Sequence, residues 1–261
     1  MGAITDIHGI SVGHAQDPDS ITGCTVILFD RPRRGAVDLR GGGTGTRQID
    51  SLLPHNTLGE INGVLITGGS AYGLDASGGV MRYLEEKGAG LSVGNGLVVP
   101  SVPTAVIFDL GIGDGTVRPD AEMGYNACLD ARTEAPEEGS VGAGTGATIG
   151  KLRGIKHATK GGLATSSCRL DSGVLVGVLV VVNAFGDVGG PENGIILAGG
   201  RSSDEGGHYE GTVNLMKKGV KRQPNQFHNT TIAVVATNAS FTKSELSRIA
   251  GIAQTGMSRV I

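Results

Sequence analysis

The chain has 261 residues, 39% of them hydrophobic and 18% charged, with a formal net charge of -3. That balance fits a globular protein with one large core and leaves no basic footprint for nucleic acid or a membrane surface. Glycine accounts for 46 residues, aromatics for 3%, and tryptophan is absent, so the core must be built from Val, Ile, Leu and Ala around many close backbone approaches.

In chain order, residues 24–29 (CTVILF), 35–39 (GAVDL) and 63–67 (GVLIT) read as strands, being short, β-branched and bounded by Gly, Asp or Pro. A helix is predicted over about 74–87. Residues 105–110 (AVIFDL) follow as a strand and about 121–131 as a second helix. Residues 174–182 (VLVGVLVVV) and 231–237 (TIAVVAT) are the last predicted strands. The third helix begins at Lys243, where Thr242 and Glu245 form a capping box, and it puts Leu246, Ile249, Ala250, Ala253, Met257 and Val260 on one face. Strands outnumber helices and do not alternate with them, and several are apolar on both faces. That favours a layered α+β sandwich over a doubly wound sheet. The stretch 186–228, rich in Gly, Asp, Glu, Lys and Asn, reads as irregular.

Several chemistries are excluded by spacing. RGGGTGTR (40–47) lacks the third Gly of a dinucleotide fingerprint. GAGTGATIGKL (142–152) is one residue short of a phosphate loop, and Leu152 follows Lys151 where Ser or Thr is needed. Both stretches read as tight turns or as turns lining a pocket with N–H groups. The six histidines (His8, His14, His55, His157, His208 and His228) form no metal-ligand motif, so neither a metal nor any other cofactor is expected. The basic run 217–222 (KKGVKR) reads as a solvated loop. The longest apolar run, 173–182, is too short to span a membrane. Cys24, Cys128 and Cys168 form no CxxC pair, and no signal peptide is evident, which points to the cytoplasm.

One boundary stands out. In QFHNTTIAVVATNASF (226–241) a polar stretch stops at Asn229 and an apolar strand starts at Thr230. An ordinary loop-to-strand junction accounts for it, since Thr favours strands. So does a nucleophile. A Thr hydroxyl needs a base, and cleavage of the preceding bond would supply one as the Thr α-amine, whose pKa is ~8. A rigid strand behind a loose loop is the setting that this cut requires.

The chain as a whole resembles the self-processing family of L-aminopeptidase/D-esterases, β-aminopeptidases and nylon-oligomer hydrolases. The resemblance rests on DLRGGGTGTRQIDSL, VLITGGSAYGLDASGGVMRYLEE, VPTAVIFDL, GSVGAGTGATIGK, KGGLATSS, VVVNAFGD and NTTIAVVATNASFTK, in that order. It implies a single four-layer αββα domain over 1–261, cut autocatalytically between Asn229 and Thr230 into 1–229 and 230–261. It also implies hydrolysis of small peptides, amides or esters through an acyl-enzyme, and a homo-oligomer, as a tetramer. The related superfamily includes an ornithine acetyltransferase, so acyl transfer is the alternative reaction, and a non-catalytic member is the alternative class.

Carried over by residue, Thr230 matches the nucleophile, Asn183 the amide facing the reacting carbonyl, and Lys160 a lysine near the nucleophile. Phe108 and Tyr72 are the candidates for the substrate pocket. Phe108 stands where some relatives carry Tyr, so a step assisted by a Tyr hydroxyl is lost there. Thr44 and Gln48 depart from the family's Arg-Gly-Gly-x-Pro-Gly-Thr-Arg-Glu pattern. Relatives continue into a segment with an Asp-Gly-Asp motif, whereas this chain stops at Ile261 on an apolar face. The expectation is therefore a truncated chain, or a natural one lacking that segment, whose C-terminal region is either less ordered or covered by a neighbouring subunit.

Overall fold

The computed structural model describes residues 2–190, 192, 194–203, 205–222 and 229–261. Its first sheet contains β1 (Ile10–Asp17), β2 (Thr22–Arg34), β3 (Thr46–Arg47), β4 (Glu60–Thr67) and β5 (Thr104–Val106), in the order β1-β2-β4-β5-β3. Only the β4–β5 pair is parallel. The second sheet is the antiparallel set β6 (Gly162–Arg169), β7 (Leu175–Asn183) and β8 (Thr230–Thr237). The helices are α1 (Ala76–Glu86), α2 (Ala121–Asp130), α3 (Thr212–Lys217) and α4 (Lys243–Ser258). The α+β sandwich expected from the strand-rich pattern is the class observed.

Two apolar layers hold it together. Ile27, Ile66 and Ile107 from the first sheet meet Leu163, Leu179 and Val181 from the second, and Ile232, Val234 and Ala236 pack against them. On the far side of the first sheet, Val26 and Leu65 pack on Val80, Leu84 and Ala127 of α1 and α2. Those two helices touch at glycines. A β-carbon on Gly79 would overlap the Ala121 carbonyl, and one on Gly124 would overlap that of Ala76. The missing side chains let the helix backbones come close enough to cover the sheet.

Helix starts follow local rules. The Asp120 side chain accepts from Met123 N at 2.9 Å, and the Thr242–Glu245 capping box is formed in both directions. Along α4 the predicted face (Leu246, Ile249, Ala250, Ala253, Met257 and Val260) is half-buried, while Ile252 and Ile261 stay exposed. The end of the chain is tied back through Gly189 N, which donates to the Val260 carbonyl at 2.7 Å.

Four expectations need correction. Residues 35–39 form no strand. Their pattern matches a strand's, but Gly35 bonds to Gly59 across the end of β2 and the chain then leaves the sheet. The strand at 105–110 is only Thr104–Val106, because the chain turns out of the ladder at Ile107. The helix at 74–87 begins as a 3-10 turn, Ser70–Asp75, and becomes α-helical at Ala76. The stretch 186–228 is not irregular throughout. It holds the ribbons Val188–Gly189 with Ile196–Ala198 and Arg201–Ser203 with Gly206–Tyr209, followed by α3, while 223–228, including His228, lie outside the described residues. Strands of two to four residues are too short for periodicity to register.

Sequence reading also passed over the ribbon Leu91–Gly94 with Leu97–Val99. Its Asn95-Gly96 turn has both residues at positive φ, the usual hairpin signal. Among the described residues no helix is long and apolar enough to cross a membrane.

Candidate active site

Thr230 opens β8 and Asn183 closes β7, and the antiparallel register sets the two directly opposite each other. Opposed residues share a face, with β-carbons about 4.5–5.5 Å apart. That face is the inner one. Asn183 is fully buried in step with Leu179 and Val181, and Thr230 is in step with Ile232, Val234 and Ala236, which pack into the layer between the sheets. Asn229, just outside the strand, has a buried Oδ1 with no hydrogen-bond partner among the described residues.

The Asn183 amide is held at both ends. Its Nδ2 donates to the Phe108 carbonyl at 3.0 Å. Its Oδ1 accepts from Thr148 N at 3.0 Å, from Thr148 Oγ1 at 3.3 Å and from Lys151 Nζ at 2.6 Å. Lys151 Nζ also donates to the Asn183 carbonyl at 3.0 Å. A cation and a backbone N–H on the oxygen leave the amide only one orientation.

Lys151 is the residue that sequence reasoning missed. It is 2% exposed, and burial pushes its ammonium down to about 7 from the ordinary lysine value. The signal was there: a single lysine closing the run GATIG, with no acidic neighbour to solvate it. The stretch 142–152 turns through Gly142–Gly144 and enters the short strand Thr148–Ile149. Of its N–H groups, Gly142 N donates to Gln16 and Ala143 N to Thr25, while Thr148 N serves the Asn183 amide.

Lys160 lies nearby and is engaged elsewhere. It pairs in register with Thr148, and its Nζ donates to the Thr145 carbonyl and, at 3.0 Å, to that of Ala147. Partial burial of the ammonium lowers its pKa, and the Asp109 charge opposes that shift. Phe108 enters the cluster through its backbone carbonyl. With Asp109, Gly146, Thr148 and Ile155 it lines a small cavity of ≈ 90 Å³. Tyr72 lies on the 3-10 turn after β4 with its ring 3.8 Å under the Arg118 guanidinium, and it joins none of these hydrogen bonds. Gln48 turns inward, its Oε1 accepting from Val102 N at 2.7 Å.

The profile of peptidase family S58 matches residues 2–261. The chain belongs to peptidase family S58. A protein described as an uncharacterized aminopeptidase of Mycobacterium leprae is 42% identical over 276 residues, covering 100% of this chain and 74% of that one. A 6-aminohexanoate-oligomer endohydrolase of a Kocuria species is 29% identical over 98% of this chain and 69% of its own length. The L-aminopeptidase D-Ala-esterase/amidase of Ochrobactrum anthropi, described as a variant among the Ntn hydrolase fold, superposes with a TM-score of 0.72. Its identity is 19%, over 99% of this chain and 69% of that one. A Burkholderia β-aminopeptidase gives a TM-score of 0.65 at 23% identity, over 99% and 68%. The fold is that of these hydrolases, the αββα class expected above. This S58 peptidase is a hydrolase of the aminopeptidase and amidase type.

Proposed function

We propose that this S58 peptidase is a self-processing hydrolase whose nucleophile is Thr230, freed by a cut after Asn229 that leaves pieces 1–229 and 230–261. In processing, Thr230 Oγ attacks the Asn229 carbonyl carbon. The bond from that carbon to Thr230 N breaks, and the nitrogen takes up the hydroxyl proton. Water then hydrolyses the resulting ester, leaving a carboxylate on Asn229 and a free α-amine beside the hydroxyl. In turnover the amine takes the hydroxyl proton as Oγ attacks an N-terminal aminoacyl amide or ester. The leaving group departs with a proton, and water releases the acyl-enzyme.

The observation that carries this reading is the register pair. Thr230 faces Asn183, whose amide is oriented by Lys151, Thr148 and the Phe108 carbonyl. An amide N–H fixed before the reaction is the group needed where charge develops on a carbonyl oxygen. Lys151 on the amide oxygen polarises that donor further. The relatives named for aminopeptidase and 6-aminohexanoate-oligomer hydrolysis support a small peptide or amide substrate. Lys160, two residues before β6, adds positive charge at the same end of the sheet and keeps the Thr230 amine basic rather than protonated. Phe108 and Tyr72 are assigned to the substrate side of the pocket.

A homo-oligomer, as a tetramer, belongs to the same reading. It is supported by the exposed apolar ribbon that carries Leu91, Val93, Leu97 and Val99. The free cysteines Cys24, Cys128 and Cys168 support a cytoplasmic setting.

The deciding experiment is the intact mass of the purified protein with N-terminal sequencing. Two fragments are expected, the smaller beginning Thr-Thr-Ile-Ala-Val. A single chain, or any other starting residue, removes the mechanism.

A further inference from the structure

A carboxylate is buried beside this site, and the proposed chemistry does not use it. Asp109 is 5% exposed, its Oδ1 accepting from Gly69 N at 2.7 Å and its Oδ2 from Thr22 Oγ1 at 2.8 Å. Burial holds its carboxyl above the usual range, against the pull of those hydrogen bonds and of Lys160. A buried carboxylate is costly unless well bonded. The surroundings are shaped to hold it. A β-carbon on Gly68 or on Gly146 would overlap the carboxylate, and Gly69 reaches it by adopting φ +77°.

The place in the chain suggests why. β5 ends at Val106, so the peptide between Phe108 and Asp109 lies beyond the last paired position of the sheet. Its carbonyl still meets Asn183 Nδ2 at 3.0 Å. On one side the chain is fixed at Ile107, whose N–H donates to Thr67 and whose carbonyl accepts from Ser70. On the other side it is fixed by the Asp109 side chain, with Ile112 N donating to the Asp109 carbonyl.

We propose that Asp109 is a positioning residue: its anchored carboxylate fixes the Phe108 carbonyl, which in turn holds the Asn183 amide where Thr230 reacts. This role rests on the Thr230 reading above. It extends the site by one layer, from Thr22 and Gly69 through Asp109 and Phe108 to Asn183. Small misplacements of a reacting geometry cost on the order of 10²-fold, so an anchor at this distance has kinetic weight.

The test compares wild type, Asp109→Ala and Asp109→Asn for processing by intact mass, and for kcat and KM on an aminoacyl p-nitroanilide. Asp109→Asn keeps the shape and can serve both partners, accepting from Gly69 and donating to Thr22. The expected result is a fall of about 10- to 100-fold in processing rate and kcat for Asp109→Ala, with KM within about threefold and most activity restored in Asp109→Asn. Wild-type rates in Asp109→Ala would overturn the role. So would an Asp109→Asn as slow as the alanine variant, or a rise in KM at unchanged kcat, which would make Asp109 a substrate contact. If Asp109→Ala does not fold, Thr22→Val, which removes one donor, decides: a severalfold loss in kcat supports the role and an unchanged kcat overturns it. A wild type that is cut and active while these variants match it sinks this inference alone. A wild type that is neither cut nor active sinks the Thr230 reading and this role together.

Discussion

Asn183 ends one strand, Thr230 begins the next, and the two face each other across the ladder with both side chains on the inner face of the second sheet. Their separation in sequence is filled by two small ribbons and a helix, so the pairing is a long-range contact that only the assembled sheet produces.

Asn183→Ala removes the donor and leaves Lys151 and Thr148 without their common acceptor. Loss of one preorganised donor typically costs about 10²–10³ in rate. Turnover should fall by that range while circular dichroism and the register of the sheet persist. A loss under about fivefold would assign Asn183 to structure alone.

Thr230→Val keeps the strand propensity and shape of the residue and deletes only the hydroxyl. A single uncut chain of 26.5 kDa is expected, folded as judged by circular dichroism. Thr230→Ser, which retains the hydroxyl, should still be cut. A valine variant that yields two fragments would place the nucleophile elsewhere.

Burial pushes the Lys151 ammonium down to about 7 in the folded chain, from the ordinary lysine value of ~10.4 when unfolded. Between these values the unfolded chain binds the extra proton, so this residue makes stability rise from pH 7 toward 10 and penalises the fold below 7. Urea unfolding of wild type at pH 7 and 8.5, below the range where burial of the Cys24 and Cys128 thiols makes stability fall with pH, should show that rise, about 1–2 kcal/mol. Lys151→Met should flatten it and slow processing by at least about tenfold, since Asn183 loses its charged partner. An unchanged slope in Lys151→Met would show that some other group governs this pH range.

Gly146→Ala places a β-carbon against the anchored Asp109 carboxylate. Overpacking of this kind costs about 1–3 kcal/mol, readable in a denaturant melt. The same substitution at Gly43, where a β-carbon meets nothing, should leave stability within about 0.5 kcal/mol.

The sequence by itself determined what depends on neighbouring residues. The α4 capping box, the strands at β4, β7 and β8, and the abrupt start at Thr230 follow from propensity, caps and apolar alternation, which act over a few positions. Strand-rich patterning also gave the α+β class. The tertiary structure decided which residues share a site. Lys151 looked like the failed end of a phosphate loop, and Asp109 was one position inside the predicted strand 105–110. They matter because sheet pairing brings Gly146–Lys151, Phe108–Asp109 and Asn183 together from distant parts of the chain. Burial then does the rest. The same lysine in water would keep its ordinary charge, and only removal from solvent brings its titration to neutrality.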